Sequence, residues 1–162
     1  MFILKWLVIV LVLLAVAALV VGQLGLLQGT APNNLGLRDG KLKPPSKTPN
    51  SVSSQAGLWP DHPMRAYAEI APLPLKGDGP ASMLRLKSVV ENMPGARVVE
   101  SRPDYLYAQF TTPLMKYVDD TEFWFDPTVN VIQLRSASRV GGKDYGVNRR
   151  RIDEIRRLLE AR

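Results

Sequence analysis

The sequence predicts an α+β protein. An N-terminal transmembrane helix leads into a two-layer domain, whose four-stranded antiparallel meander is covered on one face by two helices. Three observations carry this. Residues 7–21 are all apolar, and Phe2, Ile3, Leu4 and Trp6 extend the run around Lys5. Four short strand-like stretches follow one another between 96 and 138, punctuated by Pro103-Asp104, Thr112-Pro113 and Asp126-Pro127. Segments of helical period bracket those strands, and short links favour antiparallel neighbours with both helices on one face.

The apolar run, residues 1–22, has the length that crosses a bilayer as a helix, about 20 residues. A cleaved signal peptide is the competing reading, with Val20-Val21-Gly22 as its cleavage site and a secreted or periplasmic product. The apolar region sits at or beyond the usual limit of about 15 residues for such peptides, which favours a retained anchor. The chain has no cysteine, so neither lipoprotein attachment nor a disulfide framework is available. Lys5 and the terminal amine precede the span while residues 22–37 carry no charge, which predicts a single-pass protein with its domain periplasmic or otherwise extracytoplasmic. Arg38, Lys41, Lys43 and Lys47 come later and pull the other way.

Residues 23–36 read as a linker, and residues 37–162 as one domain that is loop-rich to 80 and regular from 81. Nine of the thirteen prolines fall in 23–80, and no period survives there for long. Asp78-Gly79-Pro80 is a helix-start signal, Met83, Leu86, Val90 and Met93 share one face, and Pro94-Gly95 ends the helix. Strands are predicted at 96–101, 105–111, 118–125 and 131–138. Alternation in the third puts Phe123 and Phe125 on one face and Asp120, Glu122 and Trp124 on the other. A last helix over 148–161 buries Ile152, Ile155 and Leu159. Tyr105, Tyr107 and Trp124 are left to line a groove or to pack under a loop drawn from 37–75.

The net charge of +6 is spread thinly, with fourteen cations against eleven anions after residue 80. Such a balance suits anionic headgroups, an anionic ligand or an envelope protein as partner. Nucleic acid is disfavoured, because no basic stretch carries the interleaved aromatics of a single-strand groove.

The chemistry concentrates in residues 135–151, which combine Arg135, Ser136, Ser138, Arg139, Asn148, Arg149, Arg150 and Arg151 with three glycines. Asp119, Asp120 and Glu122 invite a metal or an acid–base reading, but alternation leaves only two of them on one face. With residues 126–129 as the hairpin loop, Asp120 is expected opposite Arg135 and Glu122 opposite Gln133, an ion pair across the strands. Ser53, Ser54 and His62 suggest a hydrolase, yet no Gly-x-Ser-x-Gly frame surrounds either serine and His62 lies in a proline-rich loop. Gly141-Gly142 and Gly146 match no phosphate-loop spacing and read as turns at positive φ. Three arginines in the first turn of the last helix oppose its dipole. Pairs Arg149–Asp153 and Arg150–Glu154 are expected to offset part of that, and a sheet carboxylate or an anionic ligand the rest.

Several motifs in order resemble the domain of unknown function 1499 family. They are Leu42-Lys43-Pro44-Pro45-Ser46-Lys47-Thr48-Pro49-Asn50-Ser51-Val52-Ser53-Ser54-Gln55, Tyr107-Ala108-Gln109-Phe110-Thr111, Asp119-Asp120-Thr121-Glu122-Phe123 and the 135–151 stretch. The resemblance spans roughly residues 35–162 and implies a small bacterial or plastid domain behind a signal or membrane segment, with no established activity. Relatives often carry a cysteine pair where Pro45 and Ser51 stand here, which puts any thiol chemistry in doubt for this chain.

The reading favoured is a membrane-anchored envelope module that binds a ligand or partner without catalysis. Its candidate site is Asn50, Ser53, Ser54, Asp120, Glu122, Arg135, Ser138, Arg139, Asn148 and Arg149. Within it Asp120–Arg135 is structural, and Arg139 and Arg149 are open to a ligand. No metal-ligand set or cofactor fingerprint stands out. The alternative is a hydrolase-like or metal-dependent enzyme using Asp120 or Glu122 beside Arg135.

Overall fold

A computed structural model describes residues 2–161. Helix α1, Phe2–Gln23, is apolar but for Lys5 and Gln23 and is long and apolar enough to cross a membrane. The loop-rich region holds four short elements, β1 (Ser51–Ser53), a single 3-10 turn (Ala56–Leu58), α2 (Arg65–Ala68) and β2 (Leu73–Pro74). The regular half follows as α3 (Gly79–Glu91), β3 (Ala96–Ser101), β4 (Tyr105–Thr111), β5 (Val118–Asp126), β6 (Val131–Ser138) and α4 (Val147–Glu160).

The sheet is antiparallel, in the order β1-β6-β5-β4-β3, and β2 pairs with the β1 edge of β6. The meander β3–β6 is thus the expected one, extended by two short strands. Those two escape sequence reading because they carry little alternation and lie among prolines; they are strands because β6 offers them an edge. Ser54 closes that edge, donating its backbone N–H to the Leu134 carbonyl and accepting the Leu134 N–H at its hydroxyl.

Local chemistry sets each boundary of α3. The Asp78 carboxylate accepts the Ala81 N–H at 2.7 Å, and Pro80 occupies the first turn. Gly95 ends the connection at φ +73, where an added Cβ would stand 2.3 Å from the Thr111 carbonyl oxygen. One face of α3 (Met83, Leu86, Val89, Val90) and one of α4 (Ile152, Ile155, Leu159) pack on Leu106, Phe110, Phe123, Ile132 and Leu134 of the sheet. Both helices therefore cover the same face, and that layer is the core.

The opposite face is covered by chain rather than by helix. Leu42 is buried with Tyr105 and Tyr107, and Leu35, Leu37 and Trp124 pack around them. Gln55 holds this segment down, accepting the Leu42 N–H at 2.8 Å and donating to the Gly40 carbonyl at 3.1 Å.

One expectation is overturned. The β5–β6 loop is residues 127–130, so Asp126 pairs with Val131, Glu122 with Arg135 and Asp120 with Ala137. The expected register is off by two. Asp126 stays in the strand and caps the turn, accepting from the Thr128 N–H and hydroxyl, while Asn130 takes the left-handed conformation at φ 55. A shift of two preserves which face each side chain occupies but exchanges its partner across the strands.

Candidate functional site

The polar residues divide between the two faces of the sheet. On the helix side, Arg151 donates to Asp119 at 2.5 Å and to Asn148 Oδ1 at 2.8 Å, and its guanidinium lies 4.5 Å from the Phe110 ring centre. Asn148 is fully buried and donates to the Asn50 carbonyl, the Ser138 hydroxyl and Asp144. Ser136 joins Thr121 at 2.8 Å and donates to Asn148 Oδ1. Asp144 receives the Tyr67 hydroxyl and the N–H groups of Gly146 and Asn148. Burial alone would raise the Asp144 pKa; these donors hold it below the ordinary carboxylate value.

This cluster answers the dipole problem of α4. A carboxylate sits at the helix start, and each first-turn arginine bends away to an acceptor. Arg149 donates to the Tyr67 and Glu69 carbonyls, Arg150 to the Tyr145 carbonyl and Arg151 to Asp119. The expected pairs of Arg149 with Asp153 and Arg150 with Glu154 do not form. Those carboxylates take Arg156 and Arg157 instead. Arg149, expected to be open to a ligand, holds down the loop before β2.

The far face brings together Asp120, Glu122, Arg135 and Arg139. Arg139 grips Asp120 with two bonds, Nε to Oδ2 at 2.8 Å and Nη2 to Oδ1 at 2.7 Å, and the Tyr107 hydroxyl donates to the same carboxylate. Asp120 therefore pairs with Arg139, not with Arg135 as the expected register had it. Arg139, expected to be open, spends two of its donors on that bridge. Glu122 is fully buried: Oε1 accepts the Gly36 N–H at 2.6 Å and the Tyr105 hydroxyl at 2.8 Å, while Oε2 has no hydrogen-bond partner among the described residues. Burial raises its pKa against the opposing effect of those donors and of the Arg135 and Lys43 charges.

Arg135 is 6 % exposed, and among the described residues the one hydrogen bond of its side chain runs from Nε to the Pro44 carbonyl at 3.1 Å. Its terminal amino groups make none. Burial lowers its pKa, opposed by the charges of Glu122 and Asp120. Arg135, Arg139, Lys43, Asp120, Ser46 and Thr30 are among the residues that line a cavity of about 200 Å³ between the covering chain and the sheet. Lys43 also borders a groove of about 370 Å³ with Arg38, Lys41 and Trp59. Burial and the neighbouring Arg135 charge both lower the Lys43 pKa.

The ten sequence candidates thus separate. Asn50, Ser138 and Asn148 belong to the helix-side network, although Ser138 also lines the cavity. Asp120, Glu122, Arg135 and Arg139 gather on the far face. Ser53 is buried, accepting the Gln55 N–H, and Ser54 serves the sheet edge. Neither serine bonds His62 among the described residues; the His62 ring accepts the Met64 N–H in a local turn. No described group of three or more His, Asp or Glu side chains could hold a metal ion.

Sequence reasoning missed Lys43, Ser46 and Thr30 on the cavity wall, since nothing periodic in residues 30–46 shows which way a side chain points. It also left Asp119, Asp144 and Arg151 out of the site. The aromatic pair, expected to line a groove or to pack under a loop, packs under the covering chain: Tyr105 and Tyr107 share the alternation that places Asp120 and Glu122 on the far face. The positions of the relatives' cysteines lie in two stretches that here are joined by a hydrogen bond, from the Ser46 N–H to the Ser51 hydroxyl at 2.8 Å.

The whole is a membrane-associated domain of unknown activity with a buried network of arginine, carboxylate and hydroxyl groups. No curated protein and no solved structure gives a significant match to the chain. A family model described as protein of unknown function (DUF1499) matches residues 41–159, which takes in the covering chain from Lys41, the whole sheet and all but the last residue of α4, and the chain belongs to that family.

Proposed function

We propose that the protein is a membrane-anchored, extracytoplasmic and non-catalytic binding domain that takes a small oxyanion, a phosphate or carboxylate group, in the cavity beneath residues 30–46. The observation that carries this is Arg135. A guanidinium offers five donors. In Arg135 one of them meets a protein acceptor, while the terminal amino groups are not fully buried and open onto the cavity, where a ligand can meet them. The lining holds three cations, Arg135, Lys43 and Arg139, against one carboxylate, Asp120, which Arg139 already engages. The lining thus carries more cations than carboxylates, which is the complement of an oxyanion.

The enzyme reading has one observation in its favour, the desolvated Glu122 with an unpartnered Oε2. Against it, Glu122 is 0 % exposed and lines neither the cavity nor the adjoining groove, so a substrate in either does not touch it.

The test is thermal unfolding of the full chain in non-ionic detergent, with inorganic phosphate, acetate and chloride, beside Arg135→Met. An oxyanion at ten times its dissociation constant stabilises by about 1.4 kcal/mol, a midpoint rise of a few degrees, where chloride at equal ionic strength does not. Arg135→Met should match or exceed the wild-type midpoint without ligand and lose the oxyanion response. A destabilised variant that keeps the response would overturn the proposal.

A further inference from the structure

The end of the domain nearest α1 carries a feature that the oxyanion cavity does not use. Gln23, the last residue of α1, donates its side-chain amide to the Leu114 carbonyl at 2.8 Å and the Pro113 carbonyl at 3.2 Å. Gly22 is buried against the Met115 backbone, where an added Cβ would stand 3.0 Å from Cα. The chain after the helix continues in turns and passes over Arg139 and Val140, which approach the Cβ position of Gly29 within 2.9 and 2.6 Å. The β4–β5 turn and the end of β6 are therefore fixed to the end of the span.

We infer that this end of the domain lies in the headgroup layer of the leaflet from which α1 emerges, with the bilayer itself as its partner. Helix length sets the depth. Twenty-two residues span about 33 Å, close to the roughly 30 Å hydrocarbon core, so whatever packs against Gly22 and Gln23 sits at the lipid–water boundary. The surface there suits that boundary. Leu24, Leu26, Leu114 and Tyr145 are 69, 70, 61 and 76 % exposed, and Tyr117 and Val140 are exposed beside them. Those six face one end, whereas the other exposed large apolar residues outside α1 (Leu58, Leu84, Val99 and Val129) are scattered.

Tyr117, Val140 and Tyr145 line one shallow cavity of about 340 Å³ together with Lys143, whose ammonium lies 5.4 Å from the Tyr145 ring centre. Tyrosine and lysine at the rim of an apolar patch are the residues that anchor at an interface, where ring and stem enter the apolar layer while hydroxyl and ammonium meet headgroups. Tyr145 is held outward at φ 52, a conformation a bulky side chain adopts only when its surroundings impose it; its neighbours Asp144 and Gly146 are tied together by a hydrogen bond.

This rests on α1 spanning a membrane, and the experiment separates the two claims. The chain has no cysteine, so single-cysteine variants of the full protein take an environment-sensitive fluorophore at one place. Leu114→Cys and Tyr145→Cys report on the proposed surface, Leu84→Cys on a distant exposed site, and Val12→Cys on the span. In vesicles of phosphatidylethanolamine and phosphatidylglycerol, labels at 114 and 145 should be blue-shifted and quenched by lipid carrying a spin label near the headgroup. The label at 84 should be neither, and the label at 12 should be quenched by a spin label deep in the acyl chain. Labels at 114 and 145 that behave like 84 while 12 is quenched overturn the docking and leave the anchor standing. An unquenched label at 12 overturns both. Disulfide cross-linking between copies of the Leu114→Cys variant, without lipid quenching, assigns the surface to a second copy and overturns the docking.

Discussion

Replacing Asp120 by alanine leaves the Arg139 guanidinium buried without its carboxylate and the Tyr107 hydroxyl without the acceptor it now has. The side chains of Arg139 and Asp120 are 7 and 3 % exposed, so solvent reaches them only through the cavity they line. Breaking a buried pair from one side costs about 3–5 kcal/mol, and the two-bond geometry puts Asp120→Ala within that range. Arg139→Ala should cost less, because the Tyr107 hydroxyl still donates to the Asp120 carboxylate. The double variant should then recover about 2–3 kcal/mol of the summed loss, the upper end of what contacting residues show. The cycle of Asp120 with Arg135 should couple by less than about 1 kcal/mol, since Arg135 stands across from Glu122 and makes no ion pair with Asp120. Urea unfolding of the full chain in non-ionic detergent, followed by the fluorescence of Trp59 and Trp124, reads each free energy, with an unchanged denaturant slope as the check on comparability. A larger coupling for Arg135 than for Arg139 would mean that the β5–β6 hairpin turns at residues 126–129 after all, and the description of the far-face site would fall with it.

Glu122→Gln should change the pH dependence of stability. A carboxyl whose folded pKa is raised favours the folded state most below its unfolded pKa of about 4.3 and loses that favour as pH rises through the folded value. Unfolding midpoints should therefore show the variant more stable than wild type at pH 8 and not at pH 4, and an equal loss at both would contradict the burial argument. For topology, a reporter enzyme fused after Arg162 should be active only outside the cytoplasm, as Lys5 before the span requires; activity inside would reverse the orientation.

The parts of the fold legible in the sequence are those where a local signal stands alone. Asp78-Gly79-Pro80 starts α3 because it supplies both a cap and a proline that needs no donor, and no neighbouring triplet competes with it. Alternation in residues 105–111 and 118–125 assigned every far-face side chain correctly, since parity survives any even shift. The register did not follow, because a loop at 126–129 and one at 127–130 satisfy the same alternation. What separates them is the side chain of Asp126 folding over its own turn and the left-handed Asn130, both decided after the strands meet. The short strands β1 and β2 and the covering chain of residues 30–46 had no period to read, since their conformation is imposed by the sheet edge and by the aromatic face beneath them.

The two arginine sites on opposite faces of one sheet show what the sequence could not separate. Arg135 is buried and Arg151 nearly so, both lie near carboxylates and both come from the same basic stretch. Arg151 finds Asp119, Asn148 and an aromatic face, and the one buried atom left without a partner in its network is Asn50 Oδ1. Arg135 finds one carbonyl, and beneath it Glu122 keeps an oxygen unbonded. A chain selected for stability alone has an inexpensive remedy at the second site, an apolar residue of similar volume. This structure instead keeps an under-bonded cation against a cavity whose other charges are mostly of the same sign. An arginine with one side-chain hydrogen bond against that cavity, set beside a helix-side network in which Asn50 Oδ1 is the buried atom left over, is what the proposed binding role leads one to expect. The stability of Arg135→Met without ligand therefore decides more than its loss of binding: a structural arginine makes the variant weaker, and a recognition arginine leaves it as stable or stronger.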